Sequence, residues 1–137
     1  AFSIGEQTYG VEITTVREIR AWNGATPLPN TREFVRGVIN LRGTIVPIFD
    51  LRARFGEGQT SPTKNHVVVV MSVGEKWVGI LVDAVSDILT VPKDEIHNVP
   101  EGNSIDMELL NGIVTHESRM VGLIDLHAIV SGAKLDA

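Results

Sequence analysis

The sequence contains no cysteine, and that absence excludes several kinds of site. Disulfide scaffolds, thiol catalysis and cysteine-held zinc or iron–sulfur clusters all need this residue. Long apolar runs are missing as well, because the longest one, Val67 to Met71, is far shorter than the roughly 20 residues of a membrane-spanning helix. No charged and then apolar signal peptide leads the chain. We therefore expect a soluble protein whose composition is compatible with the cytoplasm.

Aromatic residues make up only 5% of the chain and the net charge is −5, and both values argue against nucleic acid as the main partner. The charge is unevenly distributed. Residues 1–64 carry eight basic and six acidic side chains, or +2, whereas residues 65–137 carry four basic and eleven acidic ones, or −7. A partner protein with an acidic face would explain the basic residues of the first half. The alternative is a nucleic-acid-binding protein built of two β-barrels.

The sequence repeats one pattern twice. Residues 2–11 align with residues 71–80 at an offset of 69, with the serine, both glycines and the glutamate identical. After a loop that is six residues longer in the second copy, the offset becomes 75, so that Gly37 aligns with Gly112. A repeated sequence predicts a repeated structural unit, so we expect two similar units.

Each copy consists mainly of short β-strand patterns. Runs of β-branched residues such as Val67 to Val73 alternate with glycine-containing turns. Pro47 and its counterpart Gly122 predict a bulge or bend in both copies, and Asp50 and Asp125 are expected to cap short helices. Five short strands in each unit of about 70 residues favour a small barrel.

The predicted fold class is therefore mainly β. It consists of two tandem five-stranded β-barrels with a few short helices, in a single domain over residues 1–137. The barrels are assigned to about 1–64 and about 65–131, and an exchange of their ends is left open.

Three segments carry a resemblance to a known family. Residues 34–52 (FVRGVINLRGTIVPIFDLR) resemble the signature of the chemotaxis coupling protein family CheW, and residues 78–89 and 9–20 resemble two further hallmarks of it. The resemblance covers essentially all of residues 2–131. It implies two barrels about a shared apolar groove, and an adaptor between chemoreceptors and a CheA-type histidine kinase at membrane-associated receptor arrays. The regulatory domain of the kinase and receiver-fused adaptors share this fold and are the alternatives. A free-standing adaptor is favoured because the sequence contains no linker, receiver or kinase segment.

The resemblance also implies two sets of contact residues. The receptor contacts carried over to this sequence are Arg42, Val67, Val85 and Ile88. The kinase contacts are Val16, Glu18, Arg36, Gly37, His97 and Glu101. The sequence departs from the family in the loop that holds the last two residues, because relatives often have a basic and an aromatic residue where this chain has His97 and Gly102.

The same residues have plainer interpretations from pattern alone. Arg42 then reads as a solvated turn residue, and Val16 as one apolar position of an ordinary strand. The four histidines show no metal-ligand spacing, and Asp83 and Asp87 read as a solvated face. No nucleophile, phosphate loop or Gly-x-Ser-x-Gly motif accompanies the acids. We therefore expect neither an enzyme nor a metal or cofactor.

Overall fold

The computed structural model describes residues 1–5, 7–29, 31–86, 93–97, 109–116 and 118–130. These residues form ten β-strands and two short α-helices, together with 3₁₀ turns at Ile13–Thr15 and Lys93–Glu95. The strands are β1 (Phe2–Ile4), β2 (Gln7–Gly10), β3 (Val16–Ala21), β4 (Val35–Leu41), β5 (Thr44–Asp50), β6 (Val67–Val73), β7 (Lys76–Val82), β8 (Ala84–Val85), β9 (Leu110–His116) and β10 (Arg119–Ile124), and the helices are α1 (Leu51–Arg54) and α2 (Leu126–Val130).

The strands form two five-stranded sheets. The first sheet has the order β8-β1-β2-β10-β9 and the second has the order β3-β6-β7-β5-β4. Antiparallel pairs dominate, and one parallel pair in each sheet, β2 with β10 and β5 with β7, joins two hairpins. Each sheet therefore combines the first two strands of one sequence copy with the last three strands of the other. The prediction of a mainly β fold with two five-stranded sheets and a few short helices is confirmed.

The strand pairing follows the sequence repeat closely. Phe2 pairs with Val85 in the first sheet, and its counterpart Met71 pairs with Val16 in the second. Val16 and Val85 are counterparts too, because they are separated by the same offset of 69. Two segments with the same pattern thus adopt the same pairing, and they do so by exchanging their leading hairpins.

Both sheets carry the predicted bulge at equivalent positions. In β4 the register shifts between Val35 and Gly37, which leaves Arg36 as the extra residue. In the β9–β10 pair the register shifts between Leu110 and Gly112, which lie 75 positions after Val35 and Gly37. Asn111 is the extra residue there and is the counterpart of Arg36. Pro47 and Gly122 lie close to these shifts. A bulge turns its extra residue out of the regular ladder, which matters below for the Arg36 side chain.

The four consecutive valines of β6 are explained by burial on both sides of the second sheet. Val67 and Val69 belong to an apolar cluster that contains residues of both sheets, such as Phe2 and Ile80. Val68 and Val70 point the other way, into a smaller cluster within the second sheet. A strand covered on both faces needs no polar alternation, so the apolar run is continuous.

The two helices are joined to each other and capped as predicted. Asp50 accepts a hydrogen bond from the Ala53 amide at 3.4 Å, and Asp125 accepts one from the Ala128 amide at 3.2 Å. Arg54 of α1 donates to the Ala128 and Ile129 carbonyl oxygens at 3.0 and 2.9 Å. Burial, with the charge of Arg32 second, lowers the pKa of Arg54. The guanidinium thus holds the C-terminal turn of α2 against α1.

Candidate functional site

Arg42 lies at the tip of the β4–β5 hairpin. Arg42 and Gly43 both have positive φ angles, 51° and 90°, as the two central residues of a type I′ turn do. The Asn40 side chain accepts a hydrogen bond from the Gly43 amide at 2.8 Å and fixes the turn. The Arg42 side chain is 67% exposed, so the turn presents a guanidinium to solvent.

The guanidinium of Arg42 reaches across the second sheet to its opposite edge. Its Nη2 atom lies 2.8 Å from Oε1 of Glu18 on β3, and Nη1 of Arg20 lies 3.3 Å from Oε2 of the same carboxylate. Since β3 and β4 are the two edge strands, the ion pair between Arg42 and Glu18 shows that the sheet curls until its edges approach each other. We call the gap between β3 and β4 the seam. One carboxylate faces two guanidinium groups there, which leaves one positive charge in excess.

The structure divides the predicted receptor contacts between two places. Val67 and Val85 are both partly buried against the apolar cluster between the sheets. Arg42 instead lies on the seam, where it contacts Glu18 from the predicted kinase set. Ile88 lies outside the described residues.

Val16, from the predicted kinase set, packs against the same apolar cluster as Val67 and Val85. The predicted kinase contact Glu101 lies outside the described residues. The two predicted sets therefore touch at two points in the described part of the fold, Val16 beside the groove residues and Glu18 beside Arg42.

Arg36, the bulged residue of β4, is engaged inside the protein. Its Nη1 atom donates to the Thr60 carbonyl oxygen at 3.1 Å and lies 3.6 Å from Oδ2 of Asp50, while the guanidinium stacks over the Trp22 ring. Asp50 is fully buried and accepts two further bonds from Thr60, from the amide and the hydroxyl, each at 2.7 Å. Arg36 thus compensates a buried carboxylate and ties down the loop after α1.

Gly37 is required by the close approach of a neighbouring loop. It has φ 134°, and a Cβ there would collide with the carbonyl group of Thr26. Thr26 lies so close because it exchanges two backbone hydrogen bonds with Val38, both at 2.9 Å. This explains the glycine in packing terms, independently of any partner.

The second copy builds the same arrangement around His97. The backbone of His97 exchanges two hydrogen bonds of 2.9 Å with Ile113, and a Cβ on Gly112 would lie 3.0 Å from the His97 carbonyl oxygen. The His97 side chain itself is exposed. Gly37 and His97, both predicted kinase contacts, therefore belong to equivalent loop attachments at the edges of the two sheets.

Asp83 was expected on a solvated face, and that expectation is wrong. Its Oδ2 atom accepts bonds from the Gly5 amide at 2.6 Å and from Nη2 of Arg52 at 3.0 Å. Its Oδ1 atom is buried and lies 3.4 Å from Nε2 of His66. These contacts span 78 residues of sequence at most, which is why the local pattern gave no sign of them.

Large exposed apolar side chains mark further candidate contacts that the sequence prediction missed. Ile45 is 60% exposed at the start of β5, and Met120, 75 positions later, is 65% exposed at the start of β10. Ile19 on β3 is 52% exposed. The repeat itself held a signal for the first pair, since both copies place an apolar residue directly after the hairpin turn.

Within the described part of the chain, no group of three or more histidine, cysteine or acidic side chains could hold a metal ion. No helix in the described segments is long and apolar enough to cross a membrane.

A family model for the CheW-like domain matches residues 1–134. The chain belongs to the CheW-like domain family. The probable chemotaxis protein CheW of Rhizobium etli is 46% identical over 138 residues, which cover 100% of this chain and 89% of that protein. The chemotaxis protein CheW of Rhizobium meliloti is 42% identical with the same coverage.

A solved member of the CheW family has the same fold. The crystal structure of the scaffolding protein TtCheW from Thermoanaerobacter tengcongensis superimposes with a TM-score of 0.86 at 34% sequence identity. The match covers 93% of this chain and 83% of that one. The exchanged hairpins and paired sheets are thus features of a CheW-family architecture.

Proposed function

We propose that the protein is a non-enzymatic chemotaxis adaptor that couples the cytoplasmic tips of chemoreceptors to the regulatory domain of a CheA-type histidine kinase. The observation that carries this proposal is the near full-length similarity to proteins named chemotaxis protein CheW and to a CheW scaffolding protein. The adaptor would work in the cytoplasm, where the receptor tips lie, within membrane-associated arrays.

The receptor is proposed to bind at the groove between the sheets. Val67 and Val85 supply partly buried apolar surface there, which suits a helix whose apolar face enters a groove. Ile88 is proposed to extend this surface. Arg42 contributes an exposed guanidinium, which can pair with carboxylates or carbonyl groups of a helical partner.

The kinase is proposed to bind at the sheet edges and barrel ends. Val16, Glu18, Arg36 and Gly37 form one contact region, and His97 and Glu101 form the other. The described loop attachments at Gly37 and His97 support this pairing, because they give the two edges the same backbone geometry. The net charges of +2 and −7 belong to the two sequence copies, and because each sheet combines strands of both copies, these charges do not assign differently charged partners to the two ends.

The mechanism is positional. The adaptor holds receptor and kinase in a fixed relative geometry, so a change in receptor conformation alters the free energy of the kinase's active state through shared interfaces. Such coupling needs rigid contact surfaces and no chemical step. The buried Arg36–Asp50–Thr60 network and the capped helices are features that provide such rigidity.

The Arg42→Glu variant tests the proposal. Its side chain is mostly exposed, so the variant is expected to fold and to lose receptor-dependent control of kinase activity. Arg119→Glu, at an exposed position on β10, is the matched control and is expected to behave as the parent protein. Normal receptor control by folded Arg42→Glu would contradict the assignment of Arg42, and absence of any receptor or kinase binding by the parent protein would contradict the function.

A further inference from the structure

A cavity of about 450 Å³ opens on the seam, where β3 and β4 separate. Val68 and Ile39, from the apolar cluster inside the second sheet, form part of its lining, and Arg20, Asn23 and Asn40 add polar groups. Binding sites for ligands have volumes of about 300–1,000 Å³ and combine apolar walls with a few polar groups. The cavity matches that description and lies away from the groove between the sheets.

The β3 side of the cavity is a free strand edge. The Trp22 amide donates to the His66 carbonyl oxygen, so Arg20 and Trp22 direct their backbone groups toward β6. Backbone groups alternate in direction along a strand, and those of Ile19 and Ala21 therefore point into the seam. Among the described strands, none pairs with this edge of β3.

The opposite side of the seam is already occupied at one point. The outward-facing amide and carbonyl groups of Val38 on β4 form hydrogen bonds with the backbone of Thr26. The free backbone groups that an entering strand can pair with therefore lie mainly on β3. Unpaired strand edges are templates for an added strand, and small proteins commonly use them to bind extended peptides.

The charge and side-chain pattern of β3 define the partner. Arg20 and Arg42 share the single carboxylate of Glu18, so the inner face of the seam carries an excess positive charge. Ile19, which alternates with Arg20, presents an exposed apolar side chain on the outer face. Neighbouring residues on paired strands share a face, so an added strand would place acidic side chains beside Arg20 and apolar ones beside Ile19.

We propose that the edge of β3 binds a short extended peptide segment of a partner protein, in which acidic and apolar residues alternate, as an additional strand in the seam. The main-chain hydrogen bonds would form with Ile19 and Ala21. This edge adjoins the proposed adaptor contacts, because Glu18 lies on β3 and Arg42 pairs with it across the seam. The inference rests on the free backbone groups of Ile19 and Ala21, and its test contains neither receptor nor kinase.

The test uses a fluorescein-labelled octapeptide of alternating valine and glutamate, titrated with the full chain at low salt and followed by fluorescence anisotropy. The acidic peptide is expected to bind at least about tenfold more tightly than the same peptide with lysine in place of glutamate. Two further peptides are N-methylated at either the valines or the glutamates. One of these two should lose binding and the other should keep it, because alternate amides of an added strand face β3.

Two protein variants complete the test. Ala21→Pro removes an amide that faces the seam and no bond to β6, and Arg20→Glu reverses the relevant charge, so each should weaken binding about tenfold or more. Arg119→Glu, outside the seam, should bind as the parent does. Should Ala21→Pro fail to fold, the N-methylated pair still decides. Equal binding of both N-methylated peptides, or no saturable binding of the acidic peptide, would overturn the proposal.

Discussion

Replacing Gly37 by alanine should destabilise the fold through one identifiable collision. The new methyl group would overlap the Thr26 carbonyl, and the backbone would keep a φ of 134° that side chains rarely tolerate. To relieve the overlap, the loop must leave β4, which breaks the two hydrogen bonds between Thr26 and Val38. The change therefore combines backbone strain with the loss of a loop attachment.

The magnitude follows from these two contributions. A strained backbone position costs about 1–3 kcal/mol. Each lost hydrogen bond costs about 1 kcal/mol, so the two bonds contribute about 2 kcal/mol. The expected loss is about 3–5 kcal/mol, a large part of the 5–15 kcal/mol by which domains are typically stable.

Urea unfolding followed by tryptophan fluorescence measures this loss, since Trp22 packs near the affected loop. Gly24→Ala is the matched control, because Gly24 has a positive φ of 87° in the same loop but open space around it. That variant should lose only the strain contribution, about 1–3 kcal/mol. If both variants lost the same free energy of unfolding, the collision with Thr26 would not be the reason for the glycine.

Three further predictions concern single side chains. Asp50→Asn should lower the free energy of unfolding by about 3 kcal/mol, because the amide group that replaces a carboxylate oxygen would face the Thr60 donors or Arg36. Urea unfolding measures this loss, and an unchanged midpoint would contradict the buried network. Arg54→Leu should lower the free energy of unfolding by about 2–3 kcal/mol, since two carbonyl oxygens of α2 lose a charged donor. Thermal unfolding measures this loss, and an unchanged transition temperature would mean that water replaces the guanidinium. The double charge swap Glu18→Arg with Arg42→Glu should keep stability within about 1 kcal/mol of the parent but not restore receptor control of the kinase; restored control would show that the pair acts only through the fold.

Much of the fold could be predicted because the repeat reports on local structure. Matching residues such as Gly5 and Gly74 both have positive φ angles in hairpin turns, and Asp50 and Asp125 both cap helices. Glycine and the capping aspartate act through their own backbone or the next turn. Such local requirements are visible in sequence.

The exchange of hairpins could not be predicted from such local requirements. Phe2 pairs with Val85 and its repeat counterpart Met71 pairs with Val16. Val16 and Val85 are themselves counterparts, so each residue would pair with a valine whether or not the hairpins were exchanged. The pattern of apolar residues therefore does not show which copy supplies the partner. The choice depends on how the connections cross between sheets. That is a property of the whole chain.

Long-range polar contacts were also out of reach. The contacts of Arg36 with Asp50 and Thr60 depend on the bulge in β4 and on a loop that follows α1. Asp83 meets Gly5 only because the exchanged hairpin brings them together. In both cases the partner lies far away in sequence, so composition and periodicity carry no information about it.

The central claim, that the chain joins a receptor to a kinase, is tested most directly by size-exclusion chromatography with light scattering. The full chain is mixed with a chemoreceptor cytoplasmic fragment and a CheA-type kinase regulatory domain, first separately and then together. We expect a binary complex with each partner and a ternary complex with both. Binding to only one partner, or displacement of one partner by the other, would contradict it.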